Sequence, residues 1–206
     1  RASGATKPPE GNVNISLIQH IPELITELGF NADEIFKELK IEIKEFKNPN
    51  NKLSYDDLGK LLAYCVDFCQ CPNFGLLVGQ RIELESMAML GMLVRNAPTV
   101  GTALQIGEKH MQLNDRGAVA SLMPVDESNV AMTFTLQNGA TIASNHIIDA
   151  ATVLHFKLLQ ELCGSQWKPK LIRFAHNQPK NIELFRKYFE SNLEFDAEIS
   201  SIIFDS

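Results

Sequence analysis

The sequence has no surplus of positive charge. Its 206 residues carry 19 Lys and Arg against 25 Asp and Glu, a formal net charge of −6. Proteins that hold nucleic acid directly present a basic face to the phosphates. Here the basic residues are scattered among acidic ones, which argues against DNA as a direct partner of this stretch. No apolar run reaches the length of a membrane-spanning helix, so no membrane partner is expected. Cysteine is sparse: Cys65, Cys69, Cys71 and Cys163. A disulfide scaffold needs a secretory context, and no signal-peptide pattern precedes these residues, so a reducing cytoplasm is the expected setting. A thiolate zinc site wants four ligands at short spacings. No histidine lies near the first three cysteines and Cys163 is remote from them. Cys65 and Cys69 also share the leucine face of one helix, where buried, inert thiols are expected.

Catalytic motifs are missing too. There is no Gly-x-Ser-x-Gly elbow and no Walker loop, and Gly75-x3-Gly79 lacks the Gly-Lys-Ser/Thr ending. The five histidines, His20, His110, His146, His155 and His176, form no metal-binding pair at helical spacing. His146 and Asp149 are neighbours at i, i+3, but acyl transfer also needs a nucleophile, and nearby Ser144 reads as a helix cap. Glu83 and Glu85 near Arg81, and Asp56 beside Asp57, read as solvated surface or caps rather than acid–base pairs. The expectation is no enzyme, no metal and no cofactor.

What is present is a foldable chain, 45 % hydrophobic and 21 % charged. Residues 1–13 read as a flexible polar tail and 14–206 as one domain. Ile15, Ile18, Ile21, Ile25 and Leu28 make a helical stripe closed by Gly29, with Pro22 in a first turn or at a kink. Asn31 and Glu34 form a capping-box pattern. Ser54 caps the clearest helix, whose Leu58, Leu61, Leu62 and Cys65 share a face and which Pro72 ends. The glycine-punctuated stretch from Asn73 to Gly91 resists assignment. Another helix runs from Pro98-Thr99 to about Leu113.

The period then changes. Ala118–Met123 and Val130–Leu136 read as two strands; in the second, Val130, Met132, Phe134 and Leu136 alternate with smaller or polar residues. Asn138-Gly139 reads as a turn. A long helix from about Ser144 to Cys163 stops at Gly164. Leu171–Ala175 and Ile199–Phe204 read as strands flanking a short helix around Phe185. The order implies an α+β fold, with a helical N-terminal half packed on a small, mainly antiparallel sheet of about four strands.

All six methionines, Met87, Met89, Met92, Met111, Met123 and Met132, cluster in the middle of the chain. Core packing is their default role, but thioethers also line adaptable pockets. His155 lies between Ala151 and Leu159 on an apolar helix face, and His110 borders a similar stripe. A histidine so placed is more often a satisfied core residue than a ligand contact. With Phe134, these residues would suit an apolar cavity with a few polar points.

Two glycine-marked stretches carry a resemblance: Asn73-Phe-Gly-Leu-Leu-Val-Gly79-Gln-Arg-Ile82, then Leu90-Gly-Met-Leu-Val-Arg-Asn-Ala-Pro-Thr99-Val-Gly-Thr-Ala-Leu104. With Arg173-Phe-Ala-His176-Asn-Gln-Pro179 and the closing Leu193–Phe204, their order and spacing resemble the N-terminal effector domain of AraC-type (AraC/XylS family) bacterial transcriptional regulators, over roughly residues 14–204. Thr102 departs from the pattern, which often has Glu there. Asn96-Ala97 is a milder departure.

The resemblance implies a domain that binds a small organic effector, a fatty acid or other carboxylate among the candidates, and that forms a homodimer. Family members continue into two helix-turn-helix motifs. DNA would be reached only through that part, which would begin where this chain stops. The sugar sensors of the wider superfamily use a β-barrel, for which this sequence has too few strands, so a sugar ligand is not carried over. The residues expected near the effector are Met92, His110, Met111, Phe134, His155 and Arg173, with Arg173 as bidentate partner of a carboxylate. The alternatives are a dimerisation module without a ligand, a small hydrolase-like enzyme using His146 and Asp149 or His155, and a haem protein with His110 or His155 as axial ligand.

Overall fold

A computed structural model describes residues 11–87, 96–114, 117–137 and 142–206, apart from the side chains of residues 86, 87 and 110–114. The expected Asn138-Gly139 turn lies outside these residues. The N-terminal part is helical, as the stripes predict. The first stripe is divided into α1 (Ile15–Ile18) and α2 (Ile21–Glu27), with Pro22 in the first turn of α2, where a missing N–H costs nothing. Gly29 closes α2 at φ +90°. The Asn31 side chain accepts from Asp33 N–H at 3.0 Å and opens α3 (Ala32–Glu38). The Ser54 hydroxyl accepts from Asp57 N–H at 3.1 Å and opens α4 (Tyr55–Phe68). Ahead of these helices, β1 (Asn12–Asn14) pairs antiparallel with β2 (Lys52–Ser54). β1 therefore begins inside the stretch read as a tail, and Val13 is buried. Three residues are too few to display a period-two pattern.

The unassigned glycine-rich stretch contains a helix, α5 (Phe74–Arg81). It lies against α7 (Ser144–Cys163). A methyl group on Gly75 would stand 2.3 Å from the carbonyl oxygen of His146, and one on Gly79 would stand 2.7 Å from Val153 Cβ. The Gly75-x3-Gly79 spacing thus lets two helices approach backbone to backbone and has nothing to do with phosphate. Ser144 is the first residue of α7 rather than its side-chain cap, and Gly164 ends the helix at φ +105°. Between α5 and α7 in sequence, α6 (Val100–Asn114) opens with the Thr99 hydroxyl accepting from Thr102 N–H at 3.1 Å.

The sheet is built from β3 (Ala118–Pro124), β4 (Asn129–Leu136), β5 (Leu171–Arg173), β6 (Leu193–Glu194) and β7 (Ser200–Asp205), with α8 (Ile182–Phe189) connecting β5 to β6. The strand order is β3-β4-β7-β5-β6. All pairs are antiparallel except β5–β6. The expected α+β class and mainly antiparallel sheet are what the chain adopts, with β6 added to the four strands read from sequence.

Two apolar clusters share the interior. The first gathers the N-terminal helices around Ile25, Phe36, Leu61 and Phe74. The second lies on the sheet and joins Phe134, Phe156, Phe174, Phe189 and Ile202. Helix α7 belongs to both, through Ile147 and Ala150 in the first and Val153, Phe156 and Leu159 in the second. Its 20 residues join the helical half to the sheet.

Candidate ligand cavity

Where the two clusters meet, packing is incomplete. A cavity of ≈ 90 Å³ lies between the N-terminal helices, α5, α7 and the β3–β4 strands. Leu17 and Leu58 line it from the helical half, Val78 from α5, Ala120 and Phe134 from the sheet, and Ala151 and His155 from α7. A smaller space of ≈ 20 Å³ lies between α6, β3 and α7, against Leu104, Met132 and Leu158. Ala120 and His155 line both. An apolar cavity of ~150 Å³ holds benzene and excludes water. The larger cavity is therefore of a size for a handful of heavy atoms and is walled almost wholly by carbon.

His155 is part of this lining, only 4 % exposed in the middle of α7. Its Nδ1 lies 2.7 Å from the Ala151 carbonyl oxygen. A carbonyl can only accept, so the proton sits on Nδ1. In the neutral ring Nε2 then carries a bare lone pair, and it has no hydrogen-bond partner among the described residues. Burial pulls the His155 pKa down to about 4, against the opposing pull of the Ala151 hydrogen bond, so the ring is neutral at pH 7. The ring is 4.5 Å from that of Phe134, centroid to centroid.

Of the residues expected near an effector, Phe134 and His155 thus come together at one cavity wall. Met92 lies outside the described residues. His110 and Met111 lie on α6, but their side chains are outside the description. Arg173 is elsewhere. The register aligns Arg173 with Ser201, and Ser201 with Thr133, whereas Phe134 aligns with Ala120 and Ser200. Alternate residues take opposite faces, so Arg173 is on the other face of the sheet from Phe134. Its Nε donates to Glu194 at 3.1 Å. Sequence reading missed the helical side of the wall, Leu17, Leu58 and Val78. Their signal is only that of ordinary core positions.

The expected His146–Asp149 neighbours do not form the polar contact of this region. Asp149, 2 % exposed, accepts from His176 Nε2 at 2.7 Å, and His176 Nδ1 donates to the Asn177 carbonyl at 2.9 Å. Both ring nitrogens of His176 face acceptors, which favours the imidazolium. Burial opposes that charge, but the hydrogen bond and charge of Asp149 outweigh it and raise the pKa. His146 is pushed the other way, first by burial. The Asp149–His176 bond ties α7 to the loop after β5.

The remaining candidates are bland. Cys65 and Cys69 are buried and their thiol pKa values are raised by burial, and all four cysteines are free. No group of three His, Cys, Asp or Glu side chains among the described residues is placed to hold a metal ion. No helix among them is long and apolar enough to cross a membrane. A wide groove lined by Glu23, Glu27, Glu83, Glu85 and Glu161 with Arg81 and Lys157 is open to solvent. There Arg81 pairs with Glu27, and Lys157 donates to the Gln80 and Ile82 carbonyls.

Residues 29–206 match the family model described as the arabinose-binding domain of AraC transcription regulators, N-terminal. Among curated proteins, the ornithine utilization regulator of Pseudomonas aeruginosa is 20 % identical over 184 residues, 89 % of this chain and 54 % of that protein. Among solved structures, the transcriptional regulator CdpR from Pseudomonas aeruginosa aligns with a TM-score of 0.58 at 15 % identity, over 84 % of this chain and 52 % of that one. The chain spans about half the length of these relatives. It belongs to the family of N-terminal, arabinose-binding-type domains of AraC transcription regulators.

Proposed function

We propose that this domain is the sensing part of a transcription regulator and that its effector, a compact and mainly apolar organic molecule, occupies the cavity between the N-terminal helices, α7 and the β3–β4 strands. The single observation that carries this reading is the carbon-lined space at the junction of two separately packed clusters. Small-molecule sites are concave, mostly apolar and preferentially located where structural units meet. An occupant would touch the helical half and the sheet at once. Filling the space stabilises one seating of the helices over others, and that differential is what a regulator can transmit to its DNA-binding part.

The lining also speaks about ligand identity. Arabinose would bring several hydroxyls into a space whose exposed wall is almost wholly carbon. Ornithine, the compound in the name of the Pseudomonas relative, would bring ammonium and carboxylate charges into a wall of carbon, at a cost of several kcal/mol per unpaired ion. A fatty acid suits the wall through its tail. Its carboxylate would find no Lys or Arg among the described lining residues, and Arg173 is on the far face of the sheet, paired with Glu194.

The test is a thermal-shift screen of small cyclic alcohols, phenols and heteroaromatics, repeated on Ala151→Leu, which fills the space. A ligand at 100 times its Kd adds ~2.7 kcal/mol, roughly 5–10 °C for a chain of this size. The reading expects such a shift in the native protein and its loss in Ala151→Leu. A binder whose shift survives the filled cavity, or a screen in which every compact apolar compound fails, overturns it.

A further inference from the structure

We propose that the effector carries one hydrogen-bond donor, an alcohol, phenol or heterocyclic N–H, which it gives to Nε2 of His155. The inference rests on the cavity reading above and adds the chemistry of its polar end. The tautomer decides the direction of the bond. Nδ1 is committed to the Ala151 carbonyl at 2.7 Å, so Nε2 can only accept. It is buried and unpartnered among the described residues, on a ring that lines both cavities. A buried acceptor left unmade carries a desolvation penalty that any donor arriving with a ligand would remove. Water is a poor substitute on the side of the larger cavity, whose exposed wall is almost wholly carbon and offers few of the two to four polar partners that an ordered water needs.

The same geometry sorts ligand classes. A carboxylate anion would present lone pairs to a lone pair. A ketone or ether of the right shape would fill the space and leave Nε2 unsatisfied. A haem is far larger than a ≈ 90 Å³ cavity. A compact hydrocarbon frame with one O–H or N–H satisfies both the carbon wall and the His155 acceptor.

Pyrrole and furan isolate the donor, because the two five-membered rings are nearly the same size and only pyrrole has an N–H. Binding of each to the native chain is measured by ligand-observed NMR titration, with the His155 ring nitrogens followed by two-bond ¹H–¹⁵N correlation. Pyrrole is expected to bind about three- to ten-fold more tightly, the factor set by one net hydrogen bond. It should also move the Nε2 resonance, whereas furan should not. In His155→Phe the preference for pyrrole is expected to vanish; should that variant not fold, the Nε2 shift in the native chain decides alone. Equal binding of the two rings with an unmoved Nε2 resonance overturns the donor assignment and leaves the apolar cavity intact. Failure of both rings in a chain that binds other compact compounds in the thermal-shift screen overturns the donor assignment alone, and failure throughout that screen overturns the cavity reading with it.

Discussion

Gly75→Ala adds one methyl group at the closest approach of α5 and α7. That methyl would meet His146 at 2.3 Å from its carbonyl oxygen, 2.6 Å from Cα and 2.8 Å from the carbonyl carbon. All three are backbone atoms in the first turn of a long helix, so no rotamer change relieves the clash. Restoring ordinary contact needs about 1 Å of separation between helices in an interior packed like a crystal. Overpacking of this kind costs ~1–3 kcal/mol, and the immovable partner argues for the upper end. Alanine returns ~1 kcal/mol through its better helix propensity. The net expectation is a loss of about 2 kcal/mol, or roughly 4–8 °C in Tm. Gly101→Ala is the internal control. Gly101 is exposed on α6, and its nearest neighbour to an added methyl is Thr99 Oγ1 at 4.0 Å. The same chemical change there is expected to be neutral or to stabilise by up to ~1 kcal/mol. Circular dichroism melts of the three proteins read both signs. A Gly75→Ala protein as stable as the native chain would refute the backbone-to-backbone packing of α5 on α7.

Two further predictions concern buried histidines. The His155 pKa is lowered in the fold from 6.5 to about 4, so the unfolded chain takes up this proton first as pH falls. Stability from this group is full above the ordinary value and drains away between it and pH 4, on the order of 3 kcal/mol. His146, also lowered, acts with the same sign, while His176, raised, contributes stability that is full below its ordinary value and lost as pH rises through its folded one. Urea unfolding from pH 7 down to 4.5 is expected to give a shallower acid decline for His155→Phe than for the native chain; parallel profiles would contradict the buried neutral ring. Asp149→Asn removes the carboxylate that holds His176 charged. It is expected to cost about 1–3 kcal/mol and to move the His176 titration downward by NMR. An unmoved titration would mean that Asp149 does not set its charge.

The sequence by itself determined the elements whose causes are local. Ser54 and Asn31 cap their helices with their own oxygens, Gly29 and Gly164 end helices in the left-handed region, and the alternation from Val130 to Leu136 marks a strand. It also singled out His155, because a histidine between Ala151 and Leu159 on an apolar face is visible from spacing. Tertiary structure decided everything that depends on partners distant in sequence. β1 and β6 are too short to show a period and exist through their neighbours. Gly75 and Gly79 sit in a helix because α7 leaves room for no side chain there. Asp149 chose His176, 27 residues away, over His146 beside it. Arg173 faces away from the cavity because a strand's register, set by its pairing with β7, fixes which side chains share a face. The cavity itself is a mismatch between two clusters, and a space that no described residue fills leaves no mark in the order of residues.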